Sequence, residues 1–561
     1  MRKQLSIFIL LLLVFSLCAC TPGGGPSAGQ STGGNAEAFD KNSVTTDDNG
    51  YELRGYTLPI SETPLTLTLF METDVKWSAT RQTVAELSSY RIISEMTGID
   101  IKFDHPPAGQ GTEQLNLYMA SNSLPDMIFY NWRAITGGPA KYIAENQILK
   151  LNDYLDLYAP NYMHLLEKYP KIARDAVLDD GSHYQFQMLR INDKTGGWYF
   201  LNGFTIRQDW LEKLNLETPS NLDELEQVLI GFRDGDPNGN GIADEIPLTF
   251  EKNADTSYNV LAANFGVLYG MCKNGDTVVY GPIEDNYKDY LKLMHRWYSE
   301  GLLDEEFLLN DGTAVTNKMT SGQAGLTYAL LAGGLGTYTN MLAELDPEAK
   351  IAPISYFPSE TDGKTYLPYS ALDSVTGTGT AISVNCKHIK EAVMFRDFFY
   401  SEQGILISNF GEEGESYTFV DGKPTFTANV LSNDRGLTTT QALSYYVLSA
   451  SNDAMVKSSD YFDQISLLLD NQKESQDVWG KNADYSLVYP GGASRTIEES
   501  TEYAEIFTPI KSYVDETTAK FIMGQLDIDA QWDAYVANVK AMNVEKLIKI
   551  DQDAYNRYLQ R

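Results

Sequence analysis

The fold class follows from Leu65-Thr66-Leu67-Thr68-Leu69-Phe70-Met71, where apolar residues first alternate with threonine and then run together. This pattern is typical of a strand inside a sheet. A helical pattern follows from about Thr83 and ends at Thr97-Gly98, where glycine can close a helix. A second alternating segment spans Ile99 to Phe103, and after another helical stretch a third strand is predicted over Leu124 to Tyr130. Strands that alternate with helices in this way predict a parallel sheet covered by helices, which is an α/β fold.

The ends of these predicted strands are the first place to look for a ligand site. In sheets of this kind, ligands bind outside the carboxyl ends of the strands. Those ends lie near Glu72 to Trp77 and near Tyr130 to Trp132. Further along the chain, Gly377 to Val384 predicts another strand that is followed by a helix with an apolar face.

The N-terminus has the features of a secretory signal peptide. A basic start is followed by an apolar run from Leu5 to Leu17, which is shorter than the roughly 20 residues that a spanning helix requires. The segment Leu17-Cys18-Ala19-Cys20 resembles a bacterial lipobox. We therefore expect residues 1–19 to be removed and Cys20 to be lipidated. A plain signal peptide with an incidental cysteine is the alternative.

Residues 20–50 are predicted to form a flexible tether behind the lipidated cysteine. They are rich in Gly, Ser, Thr, Asn and Asp and contain almost nothing apolar, so they cannot offset the entropy cost of becoming ordered. A Gly/Ser-rich chain of about 30 residues has an end-to-end distance of roughly 30 Å. We expect a folded body held by acyl chains to the extracellular face of the cell membrane.

Length and charge limit the class of protein further. The 561 residues are too many for one compact core, so two lobes or more are expected. The formal charge of -33 argues against nucleic-acid binding, because phosphate backbones would be repelled. We expect a monomer.

Two cysteines remain after the signal peptide and the lipidated residue are set aside. Cys272 and Cys386 could form a disulfide in an oxidising compartment. Sequence alone cannot place them within bonding distance, and two buried thiols are the favoured interpretation.

The segment Asp234-Gly235-Asp236-Pro237-Asn238-Gly239-Asn240-Gly241-Ile242-Ala243-Asp244-Glu245 is the sharpest local motif. Oxygen-bearing side chains alternate with glycines, as a calcium ion requires, because it binds about six to eight oxygens within a tight curl of chain. One ligand frame uses Asp234, Asp236, Asn238 and Glu245, with Gly239 at the turn. The other uses Asp236, Asn238, Asn240, the carbonyl of Ile242, Asp244 and Glu245. An Asn/Gly turn without metal is the alternative.

Aromatic and polar residues in predicted loops are the candidates for ligand binding. An aromatic ring can stack on a sugar face, and a few placed polar groups can bind its hydroxyls. Each aromatic residue could instead be a packing residue, and the Arg and Asp of the set could form a salt bridge at the start of a helix. The candidates are Trp77, Trp132, Trp198, Tyr199, Arg207, Asp209 and Tyr417.

No catalytic constellation is apparent. The five histidines are widely separated, so no HExxH zinc helix is present, and the chain has neither a GxSxG elbow nor a P-loop. A glycosidase needs only two suitably spaced carboxylates, so a glycan-active surface enzyme remains the alternative to a binding protein.

Four segments together resemble one known family. They are Ala120-Ser121-Asn122-Ser123-Leu124-Pro125-Asp126, Ile206-Arg207-Gln208-Asp209-Trp210-Leu211-Glu212-Lys213-Leu214, Asn409-Phe410-Gly411-Glu412-Glu413-Gly414, and the helix with Trp532, Tyr535 and Val536. In this order they resemble the family-1 extracellular solute-binding lipoproteins of Gram-positive carbohydrate ABC importers. The resemblance implies a two-lobe periplasmic-binding-protein-like fold with a hinge and a helix-rich second lobe. It also implies the second calcium frame.

The resemblance further implies an oligosaccharide ligand and ABC permease partners, with no covalent chemistry. A peptide or a lipid-linked precursor is the alternative ligand, and a surface adhesin or sensor is an alternative role. We expect residues 51–131 and about 329–375 to form lobe 1, and about 132–328 and 376–500 to form lobe 2. Residues 501–561 are predicted to be helices that pack across both lobes.

Overall fold

The computed structural model of the chain describes residues 42–78, 81–193, 197–252, 257–369, 371–448 and 453–561. The predicted signal peptide, Cys20 and most of the predicted tether lie outside these residues. Within the described residues, no helix combines the length and apolar character needed to cross a bilayer.

The strands of the α/β fold are distributed along most of the chain. They are β1 (Val44–Thr46), β2 (Glu52–Arg54), β3 (Leu65–Phe70), β4 (Ile99–Asp104), β5 (Met127–Asn131), β6 (Phe186–Ile191), β7 (Asn202–Arg207), β8 (Ile246–Thr249), β9 (Met271–Asn274), β10 (Thr277–Tyr280), β11 (Ala324–Leu330), β12 (Ile351–Ile354), β13 (Thr365–Tyr366), β14 (Val375–Ile382), β15 (Tyr417–Val420), β16 (Lys423–Phe426), β17 (Val456–Ser458) and β18 (Ala483–Asp484).

Helices connect and cover these strands. The α-helices are α1 (Val75–Ser78), α2 (Ser88–Thr97), α3 (Gly111–Ser121), α4 (Gly138–Ala144), α5 (Asn152–Tyr158), α6 (Pro160–Lys168), α7 (Pro170–Asp175), α8 (Gln208–Leu214), α9 (Leu222–Asp234), α10 (Asp285–Ser299), α11 (Gly312–Thr320), α12 (Thr337–Leu345), α13 (Ile389–Phe398), α14 (Glu402–Phe410), α15 (Ala428–Leu431), α16 (Thr439–Leu443), α17 (Ser459–Ser466), α18 (Asp470–Gly480), α19 (Ile497–Ile522), α20 (Ile528–Ala541) and α21 (Val544–Tyr558).

The first sheet has six strands in the order β17-β6-β14-β5-β3-β4. The predicted strands at Leu65 and Ile99 are confirmed, and α2 ends at Gly98 in the left-handed conformation with φ 71°. The third strand begins at Met127, three residues later than predicted, and the preceding Asp126 accepts hydrogen bonds from the Thr68 backbone N–H (2.8 Å) and hydroxyl (2.7 Å). The sheet is mixed rather than purely parallel, since β14 runs antiparallel to both neighbours.

The second sheet has four strands in the order β12-β7-β11-β8. Its strand β11 is apolar and buried over nearly its whole length, as expected for a strand with helices on both faces. The largest apolar core of the described residues surrounds this sheet and includes the C-terminal helices. We call the first sheet with its helices the first lobe, and the second sheet with its helices the second lobe.

The chain passes between the two sheets three times. It crosses after β6 to β7, after β12 to β14, and after β17 to α18. Helix α18 belongs to the second lobe, because the Trp479 indole N–H donates to the Phe204 carbonyl of β7 at 3.1 Å. We expect these three crossing segments to form the hinge between the two lobes.

Strand pairing differs from the lobe ranges expected from the sequence. Strand β14 pairs with β5 and therefore lies in the first lobe, although 376–500 was assigned to the second. Strand β12 pairs with β7 and lies in the second lobe, although 329–375 was assigned to the first. Both strands follow long connections, and no local pattern specifies which sheet such a strand joins.

The described N-terminal segment is held by the first lobe. The Arg54 backbone N–H donates to Asn161 Oδ1 (3.0 Å), and the Asn161 amide donates to the Arg54 carbonyl (3.2 Å). The Tyr56 hydroxyl donates to Asp397 at 3.1 Å. The tether predicted over residues 20–50 was drawn too long, because Val44–Thr46 already form β1 and pair antiparallel with β2.

The C-terminal helices contact both lobes. Tyr535 donates its hydroxyl to the Pro282 carbonyl in the second lobe at 3.1 Å. At the other end, the Tyr558 hydroxyl donates to Asp175 in the first lobe at 2.7 Å, and Arg557 pairs with Asp179 at the same place.

A buried ion pair joins elements of the first lobe. The side chains of Arg396 on α13 and Asp453 before β17 are both 0% exposed, with two N···O contacts of 3.2 Å. Tyr90 on α2 donates its hydroxyl to the same carboxylate. Burial makes this pair costly to break, because either charge alone would remain in an apolar interior.

Replacing Arg396 with leucine tests that pair. Arg396→Leu leaves Asp453 buried without its cation, and we expect the free energy of unfolding to fall by about 3–5 kcal/mol. Urea unfolding followed by tryptophan fluorescence measures the change. Arg91→Leu removes an exposed ion pair with Glu412 and should cost less than about 1 kcal/mol. Equal losses in the two variants would contradict this account.

Candidate functional site

The two sheets present their carboxyl edges to each other. In the first sheet, β3, β4, β5, β6 and β17 run in one direction, so their carboxyl ends share an edge with the start of β14. In the second sheet, the carboxyl ends of β8, β11 and β12 share an edge with the start of β7. Because all three crossings connect these two edges, the edges face each other. This is where ligands bind in open α/β sheets.

The edge of the first lobe carries an aromatic, an amide and a guanidinium in succession. Tyr130 is half-buried, with its hydroxyl 2.7 Å from Thr112 Oγ1. Asn131 is exposed and accepts a hydrogen bond from the Ala134 backbone N–H at 3.3 Å. Arg133 is half-buried and donates from Nη2 to the Asp175 carbonyl at 2.5 Å. These groups can provide a stacking face and hydrogen bonds to a polar ligand.

The edge of the second lobe carries an apolar residue and a glycine-rich turn. Leu330 ends β11 with 52% of its surface exposed, and the chain continues as a π-helical turn over Leu331–Gly336. Leu330 was not among the candidate residues predicted from the sequence. An apolar strand that ends in Leu-Leu-Ala-Gly-Gly is the signal that could have found it.

The predicted calcium loop is held together by hydrogen bonds between its own residues. The amides of Asn238 and Asn240 donate to Asp244 Oδ1 at 3.1 and 3.0 Å, and the Gly241 N–H donates to Asp236 Oδ2 at 3.1 Å. Glu245 Oε1 is buried and has no hydrogen-bond partner. Burial, together with the charges of Asp236 and Asp244, raises the pKa of Glu245.

The loop is compatible with a bound cation, and the pairing of Asp234 with Arg233 favours the second of the two frames. The amides of Asn238 and Asn240 surround Asp244, and the orphaned Glu245 oxygen is a group that a cation would satisfy. Within the described part of the chain, no cluster of three or more His, Cys, Asp and Glu side chains is placed to hold a metal. The loop would therefore depend on amide and carbonyl oxygens as well as carboxylates.

Residues 92–405 match the sequence profile of the bacterial extracellular solute-binding proteins. This match covers more than half of the chain. The chain belongs to that family. The protein is accordingly the solute-binding component of a transporter and not an enzyme.

Three similar proteins span nearly the same length as this solute-binding protein. The fructooligosaccharide ABC transporter substrate-binding protein FusA of Streptococcus pneumoniae is 25% identical over 93% of this chain and 95% of its own. The polygalacturonan/rhamnogalacturonan-binding protein YtcQ of Bacillus subtilis is 21% identical over 83% of this chain and 87% of its own. The crystal structure of the alginate-binding protein AlgQ2 without calcium ion has a TM-score of 0.70 and 25% identity, covering 89% of this chain and 99% of AlgQ2.

Two of the predicted ligand-binding tryptophans lie beneath the edge of the first lobe. Trp77 is 1% exposed and packs on His105, with ring centroids 4.7 Å apart. Trp132 is 0% exposed, and its indole N–H donates to the Ile128 carbonyl at 3.3 Å. Both rings are covered by protein, and neither presents an open face on which a sugar could stack. That these two residues contact a ligand remains a prediction.

Trp198 and Tyr199 lie on the first crossing segment. Both rings pack against Phe462 on the third crossing, with centroid distances of 5.2 and 4.2 Å. The Trp198 backbone N–H donates to the Ala371 carbonyl of the second crossing at 2.5 Å. The structure therefore places these two candidates where the three crossings meet, apart from Trp77 and Trp132.

Arg207 and Asp209 form a buried bidentate salt bridge, which is the alternative left open by the sequence. Arg207 Nε and Nη2 donate to the two oxygens of Asp209 at 2.8 Å each, and the side chains are 2% and 5% exposed. Burial opposes ionisation of Asp209, but the hydrogen bonds and charge of Arg207 outweigh it and hold the pKa of the carboxyl below its usual value. The pair lies at the carboxyl end of β7, on the edge opposite the candidate site.

Tyr417 and the two cysteines are also buried. Tyr417 begins β15 and packs on Phe410 and Phe419 in a small core of the first lobe.

Cys272 and Cys386 are both buried and free, so they do not form a disulfide. Burial raises the pKa of the Cys272 thiol to about 11, which leaves it protonated and unreactive near neutral pH.

The salt bridge of Arg207 predicts a loss of stability without a loss of ligand affinity. Arg207→Met leaves the buried Asp209 with only the half-exposed Lys213, 3.5 Å away, as a cation. We expect the free energy of unfolding to fall by about 3 kcal/mol at pH 7. Because the folded pKa of Asp209 lies below its unfolded value, the contribution of the pair is present above that unfolded value. It is lost as the pH falls through the folded pKa.

Chemical denaturation at pH 7 and at pH 3 measures both parts of this prediction. Wild type and Arg207→Met should differ less at pH 3, and their affinities for a bound glycan should agree within about twofold. Lys350→Met, which removes an exposed pair with Glu212, is the matched control. A large loss of glycan affinity in Arg207→Met alone would instead assign Arg207 to the ligand site.

Proposed function

We propose that this solute-binding protein is a lipid-anchored receptor on the extracellular face of the cell membrane, which captures an oligosaccharide between its lobes and delivers it to an ABC permease. The observation that carries the proposal is the facing of two carboxyl edges across three crossings. Each edge contributes groups of a different kind, with Tyr130, Asn131 and Arg133 on one side and Leu330 on the other.

The similar proteins support a carbohydrate ligand. FusA, YtcQ and AlgQ2 are each named for binding an oligosaccharide or a polysaccharide, and each aligns with most of this chain. FusA is also named as part of an ABC transporter. A peptide or a lipid-linked precursor is the second candidate ligand.

Closure of the lobes follows from where the ligand binds. An oligosaccharide that contacts both edges has more contacts when the edges approach, so it binds the closed state more tightly than the open one. It shifts the population toward closure by that difference in affinity. The aromatic cluster of Trp198, Tyr199 and Phe462 lies where the crossings meet and would limit how the hinge bends.

Anchoring would act through the first lobe. Lipidation of Cys20 and a tether that ends before β1 would hold the body near the membrane, and the described N-terminal segment enters beside Asn161. The first lobe would then be the one held near the membrane, and the second lobe the one that swings.

Calcium would stabilise the second lobe rather than take part in ligand binding. Its ligands would be Asp236, Asn238, Asn240, the carbonyl of Ile242, Asp244 and Glu245. The loop leads directly into β8, whose Ile246 N–H donates to the Gln323 carbonyl at 2.7 Å. A cation in the loop would neutralise its carboxylates and fix the entry to that strand.

Binding of calcium is testable by thermal unfolding. Adding Ca²⁺ to protein stripped of metal should stabilise it by about 2.7 kcal/mol when the free ion is at about 100 times its Kd. Asp244→Asn, which changes a ligand used only by the second frame, should reduce this stabilisation strongly. Asp234→Asn should not reduce it, because Asp234 belongs to the other frame and pairs with Arg233. The opposite pattern would establish the other frame, and no response to Ca²⁺ would leave a metal-free turn.

Binding of an oligosaccharide is testable by calorimetry with the purified protein. We expect heat of binding with at least one of the fructo-, galacturono- and alginate oligosaccharides, with no hydrolysis product by chromatography. Leu330→Asp should weaken binding tenfold or more, or about 1.4 kcal/mol, because it adds a charge to the apolar side of the site. Leu345→Asp is the control, since Leu345 is 65% exposed and ends α12. Heat from peptides alone would contradict the carbohydrate assignment.

A further inference from the structure

We propose that the glycan bound by this protein is acidic, and that one of its carboxylates binds to Arg133 in a cavity between the lobes. This inference rests on the proposed function and names the class of substrate. It is carried by the position of Arg133, by the charge of the cavity around it and by the partners that hold its guanidinium.

The cavity lies beside the carboxyl end of β5. Its volume is about 240 Å³, and its wall includes Arg133, Tyr184, Tyr489, Ser494 and Arg495. A drug-sized ligand usually occupies about 300–1,000 Å³, so this cavity is large enough for one end of an oligosaccharide rather than for all of it.

The cavity joins the two lobes. Arg133 follows β5 of the first sheet, whereas the loop 489–495 is continuous with a segment tied to the second lobe. There, the Lys273 N–H donates to the Leu487 carbonyl at 2.8 Å, and the Tyr489 hydroxyl donates to the Asp551 carbonyl at 3.0 Å. The same loop is also tied to the first lobe, since the Ser494 hydroxyl donates to Asp179 at 3.0 Å. A group bound in this cavity would therefore contact the first lobe and a loop that bridges the two lobes.

The charge of the cavity is opposite to that of the protein. The chain has a formal charge of -33, yet the charged residues that line this cavity are two arginines, and none of its described lining residues is acidic. Each of the other four cavities described in the chain has at least one carboxylate in its wall, namely Asp193, Asp484, Asp175 or Asp156. Of these five cavities, this one is therefore the most suitable for an anion.

Arg133 is held in place without its charge being neutralised. Its Nη2 donates to the Asp175 backbone carbonyl at 2.5 Å, while the Asp175 carboxylate is engaged by Lys171 at 2.9 Å and Tyr558 at 2.7 Å. No carboxylate of the described residues forms an ion pair with Arg133. A guanidinium has five N–H donors, so several remain for a carboxylate, which it can bind through two parallel hydrogen bonds.

Gly377 leaves room for the stem of the Arg133 side chain, and Gly491 lies within ordinary contact distance of its guanidinium. A Cβ at Gly377, which has φ +82°, would lie 2.7 Å from Arg133 Cδ, and a Cβ at Gly491 would lie 3.6 Å from Arg133 Nη1. The side chain thus runs past backbone on one side and points toward the loop 489–495 on the other. Such a fixed position reduces the entropy that the side chain loses when it binds a ligand.

Arg495 contributes less to the charge than Arg133. Its guanidinium pairs with the buried Asp551 at 2.6 Å and lies over the Tyr503 ring at 3.4 Å. It forms a wall of the cavity, but its charge is largely balanced. Arg133 is consequently the residue that discriminates an acidic glycan from a neutral one.

The acidic surface does not exclude this ligand. At physiological ionic strength, charges more than about 8 Å apart are largely screened, so a carboxylate next to Arg133 responds mainly to its immediate neighbours. Two of the similar proteins are named for acidic polysaccharides, polygalacturonan and alginate.

Calorimetry with a charged ligand and its uncharged counterpart tests the inference. Oligogalacturonides and alginate oligosaccharides serve as the acidic probes, and methyl-esterified oligogalacturonides remove the charge while keeping the chain. We expect the wild-type protein to bind at least one acidic probe and to bind the esters tenfold or more weakly. The affinity for the acidic probe should also fall as salt rises.

Variants of Arg133 assign the effect to this residue. Arg133→Gln should weaken binding of the acidic probe tenfold or more, and Arg133→Lys should give an intermediate loss because a lysine binds as a single point charge. Arg91→Gln, at an exposed position on α2, should leave the affinity unchanged. The comparison of acid and ester in the wild type remains informative even if an Arg133 variant fails to fold.

The outcomes separate this inference from the function on which it rests. Binding of fructo-oligosaccharides without binding of either uronate would overturn the acidic class but leave the oligosaccharide receptor intact. Equal affinity for acid and ester, or for wild type and Arg133→Gln, would overturn the role of Arg133. Heat from none of the glycans would contradict the proposed function itself.

Discussion

The structure depends on one topological constraint, which is that every passage of the chain between its two sheets joins a carboxyl edge to a carboxyl edge. β6 leaves the first sheet where β7 enters the second, β12 leaves where β14 enters, and β17 leads out of the same edge toward α18. Helix dipoles, loops and exposed side chains of both lobes are thereby directed into one space. Ligand binding then requires only suitable side chains on these loops and a change in the distance between the two lobes.

Local sequence patterns were sufficient to predict individual strands and helices of the first lobe. They were not sufficient to predict which segments of the chain belong to that lobe. The alternation at Leu65 and Ile99 and the glycine at Gly98 identified β3, β4 and the end of α2, because these signals lie within a few residues. The lobe assignments of β12 and β14 failed because each is decided by pairing with a strand far away in the sequence. The start of β5 was predicted three residues too early, and the preceding Asp126 binds Thr68, a contact that no local pattern encodes.

The sequence indicated where the candidate site lies better than it indicated which residues line it. The carboxyl ends near Tyr130 were identified, but the tryptophans beside them were chosen because they are large and follow strands. Trp132 is 0% exposed since its indole packs back onto the core beneath the edge. Leu330 was overlooked because an exposed leucine looks the same in sequence as a buried one. The calcium loop was easier to propose, since its candidate oxygen ligands are close together in the chain, and the metal itself remains a prediction.

The passage of the chain three times between the sheets also limits how such a receptor can change its preference during evolution. Each lobe is assembled from several separate pieces of the gene, so a single recombination joint within them exchanges strands in both lobes at once and mismatches two cores. Neither lobe can be inherited as a cassette. Altered preference must arise through substitutions and small insertions in the loops, where a change such as the gain or loss of one guanidinium leaves both cores intact.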